Sequence, residues 1–186
     1  MQPHVTKSSS QHAATASDAH GGCYIKNMHM DQYLEKLNAL DWNQYSGPEY
    51  YDSKEVHSAL LQLLSLSLES ENTNVYNRVL FAVGNNHGGT YYPAILGALE
   101  FIVFVAVSHQ TEIARNCALN MLIDIYAAFE AEIGAYPLIN EQKHNEWVKS
   151  QVESVKPELV KISTRNLESS RNKELAMELV ECIEAE

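Results

Sequence analysis

VGNNHGGTYYPAILGALEFIVFVAV, residues 83–107, sets turn-forming and hydrogen-bonding residues against the most apolar run of the chain. Such a segment can be an active-site loop, a corner between two helices, or the tip of a binding surface. Gly84 sits where a helix end favours a residue tolerant of positive φ, and Asn85 and Asn86 suit the same role. Gly88 and Gly89 leave the backbone free to turn, Thr90 can cap a following helix, and Pro93 falls within that helix's first turn. The polar half therefore reads as helix stop, turn, helix start. From about Tyr91 to Val107, Ile95, Leu96, Leu99, Phe101, Ile102, Val103, Phe104 and Val105 point in every direction, the pattern of a helix covered all round by other helices. The run from Ile95 to Val107 contains Glu100 and falls short of the roughly 20 apolar residues that a bilayer requires. It reads as a buried central helix.

Outward from that helix the period stays helical. Tyr33, Leu34, Leu37 and Leu40 share a face. DWNQYSGPEYYD (residues 41–52) is a loop broken at Ser46-Gly47-Pro48. Ser53 reads as an N-cap for a helix with Val56, Leu60, Leu63, Leu64 and Leu68 in one stripe. Val75, Val79, Leu80 and Val83 form the next stripe. Ile113, Ala114, Cys117, Ala118, Met121, Leu122, Ile125 and Phe129 follow, in a helix that Gly134 and Pro137 end. Trp147, Val148, Val152 and Val155 face inward in another helix. Pro157 starts or kinks the next, and Leu175, Leu179, Val180 and Ile183 mark the last. No stretch shows strand alternation. The expectation is an all-α chain of seven or eight helices, mostly 10–20 residues long, in stacked antiparallel pairs: a short α-solenoid or helical bundle.

The chain has 186 residues, 45% of them apolar and 20% charged, which suits one globular domain with a real core. Residues 1–22, rich in Ser, Ala, His and Gln, have no hydrophobic period and read as a flexible tail. His4, His12 and His20 there reflect composition rather than a metal site. Residues 23–186 are expected to form a single domain. The three cysteines, Cys23, Cys117 and Cys182, are far apart and form no C-x-x-C, so neither a zinc knuckle nor a redox pair is expected. A packed Cys117 suits a reducing, cytoplasmic setting, and the N-terminus lacks the apolar core of a signal peptide. The net charge of −11 argues against direct nucleic-acid binding; it fits a basic partner and equally well the ordinary charge of a solvated surface.

Two candidate helix pairs, EVHSALLQLL…NVYNRVLFAV and YYPAILGALEFIV…IARNCALNMLIDI, hint at internal repetition. TEIARNCALNMLIDIYAAF resembles the second helix of a HEAT-type repeat, with an Arg near its start ahead of an Ala-Leu stripe. The corner Gly84, Asn85, Asn86, His87, Gly89, Tyr91 (or Tyr92), Pro93, together with the helices on either side, resembles small HEAT-like immunity proteins of bacterial contact-dependent inhibition and polymorphic-toxin systems. The likeness covers roughly residues 55–132. It implies a protein that neutralises a cognate secreted toxin by covering its active site, some relatives acting on RNA-cleaving toxins.

For catalysis, His87 beside Asn85 and Asn86 is the available base, but G-x-S-x-G, H-E-x-x-H, Walker and dinucleotide motifs are absent from the sequence. His87 therefore reads as a corner residue bonding turn carbonyls, and the chain as a binding protein rather than an enzyme. His29, His57, His109 and His144 read as surface or capping residues. No cofactor or metal is expected. For binding, Trp42, Tyr45, Tyr50 and Tyr51 interleave with Asp41, Glu49 and Asp52, the composition of a hot spot that grips Lys and Arg. His87 and Tyr91 extend that candidate toxin-binding surface. The bland alternative is a loop packing its rings on its own domain. Glu174, Glu178, Glu181 and Glu184 recur every three or four residues, a solvated face that in an inhibitor of a basic nuclease would mimic phosphate. The partner implied is a basic nuclease domain; the alternative is a helical scaffold or adaptor for another protein or peptide.

Overall fold

A computed structural model describes residues 29–49, 51–132 and 141–185 of the chain. The tail expected over residues 1–22, Cys23, and the helix stop at Gly134 and Pro137 lie outside them. Tyr33 and Leu37, one helical turn apart, are the buried face of α1 (Met30–Ala39). Asp41 then caps a 3-10 turn, Trp42–Gln44, by accepting from the Asn43 N–H at 3.0 Å. Helix α2 (Ser53–Ser65) is capped by Asp52, whose side chain accepts from the Lys54 N–H at 2.9 Å. The expected cap, Ser53, is instead the first helical residue and donates to Asn43 Oδ1 at 2.7 Å. The carboxylate one position earlier outcompetes it for the free amides. Val56, Leu60, Leu63 and Leu64 are buried as their spacing requires, but α2 stops at Ser65, so Leu68 leaves the stripe and lies 56% exposed.

A second 3-10 turn, Glu69–Glu71, leads into α3 (Asn72–Val83), which buries Val75, Val79, Leu80 and Val83. Next come the strands β1 (Gly84–Asn85) and β2 (Thr90–Tyr91), then α4 (Ile95–Ser108), α5 (Glu112–Ala127), β3 (Glu130–Ala131), α6 (Glu141–Glu153), α7 (Lys156–Thr164) and α8 (Ser170–Glu184). Helix α4 is buried on all sides from Ile95 to Val107 except Leu96 and Glu100, in accord with its unbroken apolar character. Pro157 occupies the first turn of α7, where its missing N–H leaves no bond unmade.

The corner differs from its sequence reading. It is a three-stranded mini-sheet, β1 antiparallel to β2 and β2 parallel to β3, paired Gly84 with Tyr91 and Thr90 with Glu130. Two-residue strands are too short to show a period of two, which is why alternation gave no sign of them. Gly84 is extended rather than left-handed, at φ −171°. Its lack of a side chain serves a close approach, because a Cβ would lie 2.2 Å from the Thr90 carbonyl oxygen. The left-handed residue is Gly89, φ 64°. Thr90 belongs to β2 and donates from its hydroxyl to Glu132 instead of capping a helix. Helix α4 accordingly begins at Ile95, beyond Pro93.

Helices pair by their connections: α2 with α3, α4 with α5, and α7 with α8. Across pairs, α2 and α7 both lie against α4, which α6 also touches, while α3 and α8 both lie against α5. First helices thus form one layer and second helices the other, around one apolar core. The chain is all-α in architecture, and among the described residues no helix is long and apolar enough to cross a membrane.

Candidate binding surface

The aromatic loop is held by its own rings. Trp42 is 5% exposed and tilts against Tyr45 and Phe101, with ring centroids 5.9 and 6.3 Å away. Tyr51, half-buried, donates its hydroxyl to the Trp42 carbonyl at 3.2 Å and sets its edge on Tyr92, 6.3 Å away. Burial pushes the Tyr51 hydroxyl up to about 12, with Tyr45 and Asp52 adding to the shift. Burial and then the Glu100 charge raise Tyr45. Tyr91 is 1% exposed and donates to Asn145 Oδ1 at 2.5 Å; the same oxygen accepts from the Ala131 N–H at 2.8 Å. Asn145 of α6 thereby ties β2 to β3.

The rings expected to face a partner therefore face inward, since a segment with little secondary structure of its own offsets its ordering entropy by burying its largest side chains. Trp42 and Tyr91 belong to the core, and Tyr45 and Tyr51 are half-buried against it. Tyr50 lies outside the described residues. Asp41, Glu49, Asp52 and His87 remain exposed. His87 stands edge-on to Phe81 at 5.0 Å. The corner amides serve the turn: Asn85 Oδ1 accepts from the Gly88 N–H at 3.1 Å, and Asn86 donates to Asn77 at 3.0 Å.

Of the histidines expected as surface or capping residues, His109 caps the C-terminus of α4 but is buried, and His144 is buried without being a cap. His109 joins helix pairs, its Nε2 2.9 Å from the Leu64 carbonyl oxygen and its Nδ1 accepting from the Thr111 N–H at 3.1 Å. His144, 2% exposed, packs on the Tyr91 ring at 5.3 Å, and burial lowers its pKa. Among the described residues no group of three or more His, Cys, Asp or Glu is placed to hold a metal ion. Cys117 is fully buried, and burial, with a contribution from Glu69, pushes its thiol up to about 12.

The layer of second helices opens a groove of about 500 Å³ between α3, α5 and α8. Glu69, Asn72, Thr73 and Tyr76 form one wall, Asn116, Asn120, Ile123 and Asp124 the floor, and Arg171 and Glu178 the other wall. Asn116, Asn120 and Asp124 stand four residues apart on α5, so they rise in a row on the face opposite its apolar stripe. Asn72 and Asn120 both donate to Asn116 Oδ1, at 3.1 and 3.2 Å, and Asn120 also donates to the Asn116 carbonyl at 2.8 Å. Tyr76 donates its hydroxyl to Asp124. Burial, with that bond and the Asp124 charge, raises the Tyr76 pKa strongly, so it remains a neutral donor. Three carboxylates face one guanidinium here, and Arg171 is itself engaged by Glu174 at 3.6 Å. This groove escaped the sequence reading, although the Asn-x-x-x-Asn-x-x-x-Asp spacing of residues 116–124 carried the signal. Compared with family models, curated proteins and solved structures, the chain matches none.

Proposed function

We propose that the chain is an immunity-type inhibitor that binds a basic, secreted toxin domain of nuclease type and blocks its active site by occlusion. One observation carries the reading: an open, acidic groove lies across three stacked helices of a chain with net charge −11. Stacked helix pairs commonly use such extended faces for protein recognition. Carboxylates on the face steer a cationic partner and set specificity, while area excluded from water around them holds it. The exposed Asp41, Glu49 and Asp52 supply further acidic charge on the aromatic loop, and His87 is exposed at the corner. Free Cys117 and Cys182 suit action in a reducing cytoplasm. No cofactor, catalytic residue or direct nucleic-acid contact enters this mechanism.

The test is co-expression with any secreted, basic nuclease-type domain encoded beside this chain, followed by co-purification and an RNA-cleavage assay. A stoichiometric complex with cleavage suppressed is expected, and its formation slows as ionic strength rises. A purified nuclease domain that cleaves at an unchanged rate in excess of this chain overturns the reading. A second reading, a helical adaptor for a peptide, is favoured by the groove's volume, which falls within the range of small-ligand clefts. It predicts a complex that leaves any nuclease uninhibited.

A further inference from the structure

We propose that the groove between α3, α5 and α8 is an arginine-reading site, taking a guanidinium-bearing side chain of the partner between the Asn72–Asn116–Asn120 amides and the carboxylates of Glu69, Asp124 and Glu178. The inference deepens the inhibitor reading by naming which side chain docks and where.

Donors and acceptors lining the groove do not balance. Asn72 and Asn120 both turn amide N–H groups onto Asn116 Oδ1, so their own Oδ1 atoms accept no hydrogen bond among the described residues. Asp124 uses Oδ2 for Tyr76 and keeps Oδ1. Glu69 and Glu178 are exposed and make no ion pair among the described residues. Asn116 contributes its amide N–H groups and Thr73 its hydroxyl as donors, but the two amide oxygens and three carboxylates left over, on α3, α5, α8 and the turn before α3, outnumber them, and the one cation in the lining, Arg171, is already drawn toward Glu174. A guanidinium carries five N–H donors in a planar fork and suits several separated acceptors at once; an ammonium concentrates three donors on a point. A bare divalent cation needs carboxylates converging within coordination distance, and no such group exists among the described residues. At about 500 Å³ the groove admits a whole arginine side chain with part of its backbone.

The probe is the capped tripeptide acetyl-Gly-Arg-Gly-amide, titrated into the full chain and followed by the Asn side-chain amide resonances, with acetyl-Gly-Lys-Gly-amide as comparison. The Asn72, Asn116 and Asn120 signals are expected to shift, with the arginine peptide saturating first. Glu69→Gln with Glu178→Gln, both at exposed positions, is expected to weaken arginine binding roughly fivefold, as two partly screened charge pairs predict. Glu181→Gln, on the same helix but outside the groove, is expected to leave it unchanged. Equal response to the lysine peptide, shifts scattered over every acidic face, or an unaltered double variant each overturns the proposal. Arginine binding without nuclease inhibition would sink the inhibitor reading alone, whereas inhibition with an unaltered double variant would sink this one alone.

Discussion

A guanidinium as buried as Arg115, 6% exposed, needs its charge answered in place. Glu168 supplies the answer through an ion pair, and the His109 carbonyl accepts a second N–H. Asn172 locks Glu168 from the other side, donating at 2.8 Å, and donates also to the Glu112 carbonyl at 3.0 Å. Burial alone would push the Glu168 carboxyl up; the bonds from Arg115 and Asn172 and the charges of Arg115 and Arg165 outweigh it and hold the pKa below its ordinary value. Arg115→Ala strands that carboxylate in the core and is expected to cost about 3–5 kcal/mol in a denaturant titration. A carboxyl with a lowered folded pKa contributes stability above the unfolded value of about 4.3 and loses it as pH falls through the folded one. His144, lowered by burial, likewise contributes above about 6.5 and loses its part below that. Stability measured against pH should therefore decline in two stages on acidification, with His144→Gln removing the upper stage and Glu168→Gln the lower. An Arg near the start of the Ala-Leu stripe was visible in the sequence. Its partner, 53 residues away, was not, because a single Glu in a polar turn carries no mark of burial.

Where an element is longer than three turns, its apolar period announced it, and α3, α4, α5 and α8 stand close to where that period put them. The same period failed at the Gly84–Tyr91 corner, because strands of two residues are defined by partners distant in sequence, Glu130 and Ala131 among them. The aromatic loop was ambiguous for a related reason: Trp42 among carboxylates has one composition whether its ring turns outward or inward, and only Phe101, supplied by α4, decides it. The groove was half legible, since the polar row of α5 is local whereas its walls come from α3 and α8. Two substitutions test the corner. Gly84→Ala would push a methyl into the β2 backbone, and overpacking of this kind is expected to cost about 1–3 kcal/mol. Asn145→Ala removes the acceptor that the Tyr91 hydroxyl and the Ala131 N–H share, and about 1–3 kcal/mol should again be lost. Both are read from thermal unfolding followed by circular dichroism. If Asn145→Ala leaves the midpoint unmoved, the mini-sheet is held by its backbone bonds and the Thr90–Glu132 contact without help from α6.

At the scale of the molecule, stability should be distributed as it is in a stack rather than in a shell. Helix α4 touches α2, α5, α6 and α7, whereas α8 rests chiefly on α5 and α7 at one end of its layer. An end pair has a neighbour on one side only, and nearest-neighbour interfaces carry much of the stability of stacked helices. Amides of α4 should therefore exchange with solvent only through global unfolding, while those of α7 and α8 open at lower free energy. Leu179 is wholly buried in the α8 interface. Leu179→Ala is expected to cost about 2–5 kcal/mol, and the loss should fall first on α7 and α8. Hydrogen exchange reads this directly: faster exchange in α7 and α8 with α4 nearly unchanged marks a divisible stack, and equal acceleration throughout marks one indivisible core. The distinction bears on binding, because α8 supplies the Arg171 and Glu178 wall of the groove. If that wall opens separately, a ligand seated in the groove must slow exchange in α8 more than in α4, by the free energy that its binding adds to the closed form. Retarded exchange confined to α4, with α8 unaffected, would mean that the docking face lies elsewhere on the stack.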